Sequence, residues 1–192
     1  MNPCLLLRRW LNAAIAERVP KANAMSLCTV DQYGRPSSRM MLVGAITETG
    51  ITFFTDGRSP KVQDIVKNPY ASALFYWPTL ARQIRIVGVV TLLDDSYADR
   101  DFASKPYEYR LAITLCQQSC SLISYRQLKQ KYFKALADGN NDLVIRRPAY
   151  WQGLELRPDS IEFFKGENHR INRRLLLTRN NGTKWRNYTL QP

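Results

Sequence analysis

The sequence predicts a mainly β, α+β fold: an antiparallel β-barrel, closed or partly closed, carrying a few peripheral helices. Three observations lead there. Runs rich in β-branched and aromatic residues, several alternating apolar with polar positions, recur along most of the chain. Turn clusters such as Asp31-Gln32-Tyr33-Gly34 and Asn180-Asn181-Gly182 separate some of them at hairpin spacing. Helical periodicity is confined to a few short stretches.

The centre of the pattern is the run from Ala73 to Gly88. Two strand-like halves flank a break at Pro78, and in the second half Arg82, Gln83 and Arg85 alternate with Ile84, Ile86 and Val89, which predicts a hairpin. An unpaired polar group away from water costs about 1 to 3 kcal/mol. Arg82 and Gln83 are therefore expected to meet either another part of the chain or a ligand.

Taken in order, Leu6, Trp10, Ala14 and Ile15 recur at helical spacing between Pro3 and Val19, predicting an amphipathic opening helix that ends near Pro20. Ala24 to Val30 and Ser37 to Val43 form the first hairpin around the Asp31 to Gly34 turn. Thr49 and Gly50 turn the chain into a strand over Ile51 to Thr55. Ser59-Pro60 reads as a helix start, hydroxyl cap followed by first-turn proline, and Asn68-Pro69 as its stop, with Val62, Ile65 and Val66 facing inward. Sheet resumes at Tyr70, and after the central hairpin Val87 to Leu93 continues a long strand.

Asp94 and Asp95 introduce a helical segment around Tyr97 to Ala103, which Pro106 interrupts. Tyr107 to Ser121 fits no single reading. Leu128, Tyr132, Phe133 and Leu136 among lysines predict a surface helix over Tyr125 to Ala137, ended by Asp138-Gly139. Trp151 to Leu156, Ser160 to Phe164, Arg174 to Thr178 and Trp185 to Leu190 are four further strands, the last two joined at Asn180-Asn181-Gly182. With no internal repeat and no long linker, residues 1–192 read as a single domain, 1–22 supplying the opening helix and 150–192 the closing strands.

A chain of 192 residues suits one domain with a sizeable core. Its 28 Lys and Arg against 16 Asp and Glu give a charge of +12, which attracts anions at long range. The basic residues are spread along the chain instead of forming one block, so nucleic acid or another polyanion is the weaker reading. Cys4, Cys28, Cys116 and Cys120 lack the paired spacing of a zinc site, and His169 is the single histidine, so no metal is expected. The first residues carry positive charge after a very short apolar run, the wrong order for a secretory signal. No apolar run approaches the roughly 20 residues of a membrane span. Reduced cysteines and a cytoplasmic location are the expectation.

No nucleophile, base and orienter set stands out, and no paired carboxylates or Gly-rich phosphate loop, which argues against acid–base hydrolysis. Basic and amide residues instead sit at strand starts and turns: Arg39, Lys61, Arg82, Gln83, Gln118, Arg170, Arg173 and Arg174. Chemistry done by such a set is borrowed from a cofactor whose phosphate and ring they would hold. The alternative for any one of them is a solvated or paired side chain.

Leu74-Phe75-Tyr76-Trp77 followed by Arg82-Gln83-Ile84-Arg85-Ile86-Val87-Gly88 resembles the central hairpin of the pyridoxamine 5'-phosphate oxidase family of FMN-dependent flavoproteins. The resemblance extends from about Asn23 to Pro192 and implies an FMN-binding split β-barrel. Arg39-Met40-Met41-Leu42-Val43 is similar to the arginine and apolar strand that runs along FMN. Phe53-Phe54-Thr55 is similar to Phe-Tyr-Thr, implying a cofactor contact at Thr55. Ser59-Pro60-Lys61 resembles Ser-Arg-Lys, implying Lys61 at the FMN phosphate. Gln83 is implied as a partner of the flavin, and Gln118-Ser119 resembles a Gln-Ser pair reaching the cofactor across a dimer interface. Ile161-Glu162-Phe163-Phe164-Lys165-Gly166 and Arg170-Ile171-Asn172-Arg173-Arg174 resemble the closing motifs, implying Arg174 at FMN and Arg170 at the substrate. Tyr188-Thr189-Leu190-Gln191-Pro192 is similar to the family's end.

Departures concentrate on the substrate side. Gly44 stands where the family has a lysine, Asp101, Lys105 and Tyr109 where it has its substrate-phosphate tyrosine, arginine and serine, and Asn172 where it has a histidine. Pro60 and Phe164 depart on the flavin side. Charge-assisted hydrogen bonds contribute about 1.5 to 3 kcal/mol each. Losing two or three would weaken a pyridoxine-type phosphate by about 3 to 9 kcal/mol unless other cations replace them. The resemblance thus implies a homodimeric FMN-dependent oxidase that passes a hydride from a small-molecule substrate to the flavin, with reoxidation by dioxygen. The expectation is a substrate altered from the vitamin B6 phosphates, as in the family's phenazine-biosynthesis branch. A pyridoxal 5'-phosphate producer with a rebuilt pocket, and a non-catalytic flavin- or polyanion-binding module, are the alternatives.

Overall fold

A computed structural model describes residues 2–138, 145–179 and 184–192. Gly139 and the Asn180-Asn181-Gly182 turn lie outside them. The chain divides into two compact units, Met1–Phe53 with Asp64–Thr91 and Leu154–Pro192, and Phe54–Gln63 with Leu92–Gly153.

The first unit opens with helix α1 (Pro3–Ala16), capped by the Asn2 side chain, which accepts the N–H of Cys4. Its buried stripe is Cys4, Leu7, Leu11 and Ala14. Leu6 and Trp10 are half-buried and Ile15 is exposed, so the face adjoining the expected stripe is the one that docks. The apolar arc of this helix is wide enough for either, and packing chose. Burial pushes the Cys4 thiol up to about 11, which leaves it a small packed apolar group.

Strands β1 (Ala24–Val30) and β2 (Pro36–Leu42) form the expected antiparallel hairpin. Asp31 ties its turn, accepting the N–H groups of Tyr33 and Arg35. Two residues of strand β3 (Ala45–Ile46), which the sequence pattern did not reveal, pair with β4 (Ile51–Asp56). The central hairpin is β5 (Tyr70–Trp77) and β6 (Arg82–Leu92), joined through a short 3-10 turn at Pro78–Leu80 and a left-handed Ala81. Trp77 is buried and donates its indole N–H to the Ala22 carbonyl at 2.9 Å. Arg82 lays its guanidinium 4.8 Å over the ring of Trp10, within the chain, while its Nε is buried without a hydrogen-bond partner.

The two strands expected at Trp151 to Leu156 and Ser160 to Phe164 are one, β7 (Trp151–Lys165), which runs through Pro158. Gly88 accounts for the continuity, because a Cβ there would sit 2.0 Å from the Arg157 carbonyl oxygen and 2.7 Å from the Pro158 Cα. Bare backbone on β6 lets β7 pass a proline without a break. Strands β8 (Arg173–Thr178) and β9 (Arg186–Leu190) close the chain. The strand order is β2-β1-β5-β6-β7-β4-β3, with β8 on β7 and β9 on β8.

Helix α2 (Pro60–Lys67) starts in the second unit. Val62 and Ile65 are buried, but Val66 is 71% exposed, contrary to the expected inward set. In the second unit α3 (Asp95–Ser104) is capped by Asp94, α4 (Tyr107–Leu115) fills part of the ambiguous stretch, and α5 (Tyr125–Asp138) buries none of its side chains. Among the described residues no helix is long and apolar enough to cross a membrane.

Candidate functional site

In the second unit, the end of β4, the turn after it and the first turn of α2 converge with the loop that follows α4. Lys61, 4% exposed, donates through Nζ to Ser59 Oγ at 2.8 Å, Gln118 Oε1 at 2.9 Å and Thr55 Oγ1 at 3.0 Å. Thr55 donates in turn to Gln118 Oε1 at 2.9 Å. The Ser59 hydroxyl donates to the Asp56 carbonyl at 2.6 Å and accepts from Lys61. Three predicted residues, Thr55, Lys61 and Gln118, thus share one cluster. Ser119, also predicted, follows in a left-handed conformation at φ 65°.

Asp56 and Arg58 complete this corner without having been singled out in the sequence. The Arg58 guanidinium donates to both Asp56 oxygens at 3.0 and 2.7 Å and lies 3.5 Å over the Tyr150 ring. Burial pushes the Asp56 carboxyl up, but the Arg58 side chain, the Arg58 N–H and the Gln118 N–H outweigh it and hold it below its ordinary value. A carboxylate followed by glycine and arginine after a strand was the available signal.

In the first unit the pleat divides the predicted run from Arg39 to Val43. Arg39 and Met41 lie on one face and Met40 and Leu42 on the other, because successive strand residues alternate. Arg39 turns to Thr29 Oγ1 at 2.8 Å and the Leu27 carbonyl at 3.3 Å, and Thr29 donates to Asp64. Val43 follows the strand, buried, its N–H on the Asn23 carbonyl. A ligand on either face meets alternate side chains and the backbone of this run.

The opposite face carries Gln83 and Arg174. Met40, Ser26, Leu74 and Arg85 are directly opposed across β2, β1, β5 and β6, so Tyr76 and its partner Gln83, two positions along, share that face. Glu162 accepts from Arg85 at 3.2 Å and from Arg174 at 2.8 Å, one carboxylate holding two arginines. Met40, Leu42, Leu74, Tyr76 and Val87 remain exposed there. Arg170 is exposed on a loop where it and His169 both adopt left-handed backbone, at φ 63° and 62°. Asn172 accepts the Glu167 N–H at 3.2 Å, and a crevice of about 760 Å³ takes in Asn172, Arg173, Arg174 and Trp10.

The departing residues of the substrate side are also ordered. Asp101 accepts the Trp151 indole N–H at 2.8 Å and the Lys105 ammonium at 3.1 Å. Tyr109 lines a recess of about 270 Å³ together with Ile113, Tyr150, Trp151, Asp56 and Gln118. Gly44 is exposed, its N–H on the Thr52 carbonyl. Among the described residues no group of His, Cys, Asp and Glu side chains is placed to hold a metal ion.

A phosphate bears several acceptor oxygens and a negative charge. A buried ammonium at the start of a helix supplies the complementary charge, with the Thr55, Ser59 and Gln118 oxygens accepting its protons in this structure. An amide on an open sheet face, as at Gln83, fits the polar edge of a flat ring.

The family model for pyridoxamine 5'-phosphate oxidase matches residues 11–137, and that for the pyridoxine 5'-phosphate oxidase C-terminal dimerisation region matches residues 151–192. Similar curated proteins include the pyridoxine/pyridoxamine 5'-phosphate oxidases of a Nostoc species, 36% identical over 191 residues, and of Paraburkholderia phymatum, 38% identical over 193. Each alignment covers 100% of this chain and 89% of the relative. PhzG from Burkholderia lata 383, in complex with tetrahydrophenazine-1-carboxylic acid, superposes with a TM-score of 0.93 at 31% identity, covering 100% of this chain and 93% of that one. A pyridoxamine 5'-phosphate oxidase-related, FMN binding protein from Nostoc punctiforme shares the fold, with a TM-score of 0.75 at 21% identity over 94% of this chain and 96% of that one.

Proposed function

The chain belongs to the pyridoxamine 5'-phosphate oxidase family, and from that premise we propose that it is an FMN-dependent oxidase of a small molecule, working as a homodimer. The observation that carries this reading is the buried ammonium of Lys61 held beside Thr55, Ser59 and Gln118, a positive charge complementary to a cofactor phosphate. Lys61 would hold that phosphate, with Thr55, Gln118 and Ser119 beside it. Gln83 and Arg174 would serve the flavin from their shared face of the sheet together with Met40, Leu42 and the strand backbone, while Arg39, Met41 and Val43 support that strand from the other face, and Arg170 would orient the substrate.

The chemistry supplied by bound FMN is two-electron oxidation of a carbon–nitrogen, carbon–oxygen or carbon–carbon bond, with dioxygen taking up the electrons as hydrogen peroxide. This chain's residues bind and orient, and none is assigned a proton-transfer step. Asn172, where the family has a histidine, retains hydrogen bonding and has no titratable proton. The exposed apolar row on the sheet and the match to a dimerisation region at 151–192 support association of two copies.

The substrate is read as altered, because Asp101 is a carboxylate at a position the resemblance assigns to phosphate contact and already engages Lys105. Formation of pyridoxal 5'-phosphate is the second reading, favoured by the activity named for the curated relatives. An absorbance spectrum of the purified protein, before and after added FMN, tests the cofactor. Anaerobic reduction of the flavin by candidate substrates tests the reaction. Failure to take up FMN would end the oxidase reading, and rapid reduction by pyridoxamine 5'-phosphate would favour the second.

A further inference from the structure

We propose that Cys116 and Cys120 are a redox-active pair: hydrogen peroxide oxidises them to a disulfide that draws Gln118 away from Lys61 and weakens the hold on FMN. The inference goes beyond the oxidase reading and rests on it for the role of Gln118 and for the source of peroxide.

The four cysteines divide by their surroundings. Cys4 is buried with its thiol pushed up to about 11, and the half-buried Cys28 turns its sulfur to the Thr29 carbonyl at 3.8 Å. Cys116 and Cys120 are both exposed, in the loop between α4 and α5. Cys116 also lines the recess of about 270 Å³ beside Gln118, open to a small oxidant. Access governs which thiols a peroxide attacks, so exposure selects this pair.

Three residues separate the two, and the chain between them folds back. The Cys120 N–H donates to the Gln117 carbonyl at 3.3 Å, closing a four-residue turn with Ser119 left-handed at its third position, φ 65°. Such a turn keeps its ends, Gln117 and Cys120, within about 7 Å, the upper limit of what a disulfide spans, and Cys116 lies one residue outside it. Bridging the two sulfurs therefore tightens the turn by a short backbone movement. Gln118 is inside the segment that moves. Its N–H donates to Asp56 at 3.4 Å, and its Oε1 accepts from Lys61 and from Thr55 at 2.9 Å each. Hydrogen bonds weaken steeply with displacement and misalignment, so tightening the turn breaks this set.

The oxidation balances. The Cys116 sulfur, as thiolate, attacks one peroxide oxygen, the O–O bond breaks, and the departing hydroxide takes up the proton the thiol gave and leaves as water. Cys120 then attacks the resulting sulfenic acid, the S–S bond forms, and the hydroxyl leaves with the Cys120 proton as a second water. Two electrons pass from the pair to the peroxide. An oxidase that returns its electrons to dioxygen releases hydrogen peroxide, so the oxidant arises with turnover.

The test treats reduced, FMN-loaded protein with hydrogen peroxide, in native protein, Cys116→Ser and Cys120→Ser. Trypsin leaves both cysteines in one peptide, residues 111–126, so a bridge inside one chain reads as the loss of two hydrogens from its mass. Native protein should form that bridge, its dissociation constant for FMN should rise about fivefold or more by flavin fluorescence, and a dithiol reductant should reverse both. Each serine variant should form no bridge and hold its FMN affinity within about twofold under peroxide. No bridge in that peptide, a bridge joining two copies instead, a bridge that leaves FMN affinity unchanged, or a loss that persists in either serine variant would each overturn the proposal. The native measurements decide it where a variant fails to fold. Protein that takes up no FMN ends the oxidase reading instead, and there the peptide mass alone decides whether the pair is redox-active.

Discussion

Lys61 in the first turn of α2 donates to Gln118 Oε1 at 2.9 Å, joining two residues 57 positions apart in sequence. A charge-assisted hydrogen bond of this kind contributes about 1.5 to 3 kcal/mol. If the ammonium grips a cofactor phosphate, Lys61→Met should raise the dissociation constant for FMN by about tenfold to a hundredfold. Titration followed by flavin fluorescence measures it, and an unchanged constant would remove Lys61 from the cofactor site.

Asp56 gives a pH dependence with a defined sign. Burial works against its ionised form, but donation from the Arg58 side chain, the Arg58 N–H and the Gln118 N–H keeps the folded value below the ordinary 3.8. A carboxyl depressed in the folded state stabilises it fully above the unfolded value, and that contribution is lost as pH falls through the folded one. Asp56→Asn should therefore lower the melting temperature at neutral pH, with the gap closing below about pH 4. Thermal scans of both proteins across pH check this, and a gap that persists undiminished in acid contradicts it.

Gly88 is where β7 comes closest to β6. A methyl group there would collide with the Arg157 carbonyl oxygen at 2.0 Å and the Pro158 Cα at 2.7 Å, both backbone atoms that cannot swing aside. Gly88→Ala is expected to destabilise by about 3 kcal/mol or more. Gly34→Ala is the contrast, since nothing lies within 4 Å of the added carbon and the strain comes from φ +81°. That conformation costs a non-glycine residue about 1 to 2 kcal/mol. Urea unfolding of the two variants should rank them in that order.

The sheet face bearing Met40 and Tyr76, 65% and 63% exposed, is expected to be covered by a second copy. Replacing both with aspartate should convert a dimer to a monomer in sedimentation velocity. A native protein that sediments as a monomer at micromolar concentration would contradict the dimer reading.

The sequence by itself determined most elements and much of the pairing. Ala24 to Val30 and the central hairpin were legible because strand alternation and turn chemistry are local. Local pattern placed Ala14 correctly in the buried stripe of α1 but missed Leu7 and Leu11, divided β7 at Pro158 and turned Val66 inward. Each of those depends on what lies opposite: a docking partner for the helix, a bare glycine for the strand.

The chemistry divides in the same way. The family resemblance singled out Thr55, Lys61 and Gln118 as candidates. Tertiary structure alone decided that these three meet. It also decided that Asp101 engages Lys105 and Trp151, and that Arg82 rests on Trp10. The physical reason is one of range: propensity and periodicity act over a few residues, whereas a side chain's partner is set by which distant segment packing carries within about 3 Å of it.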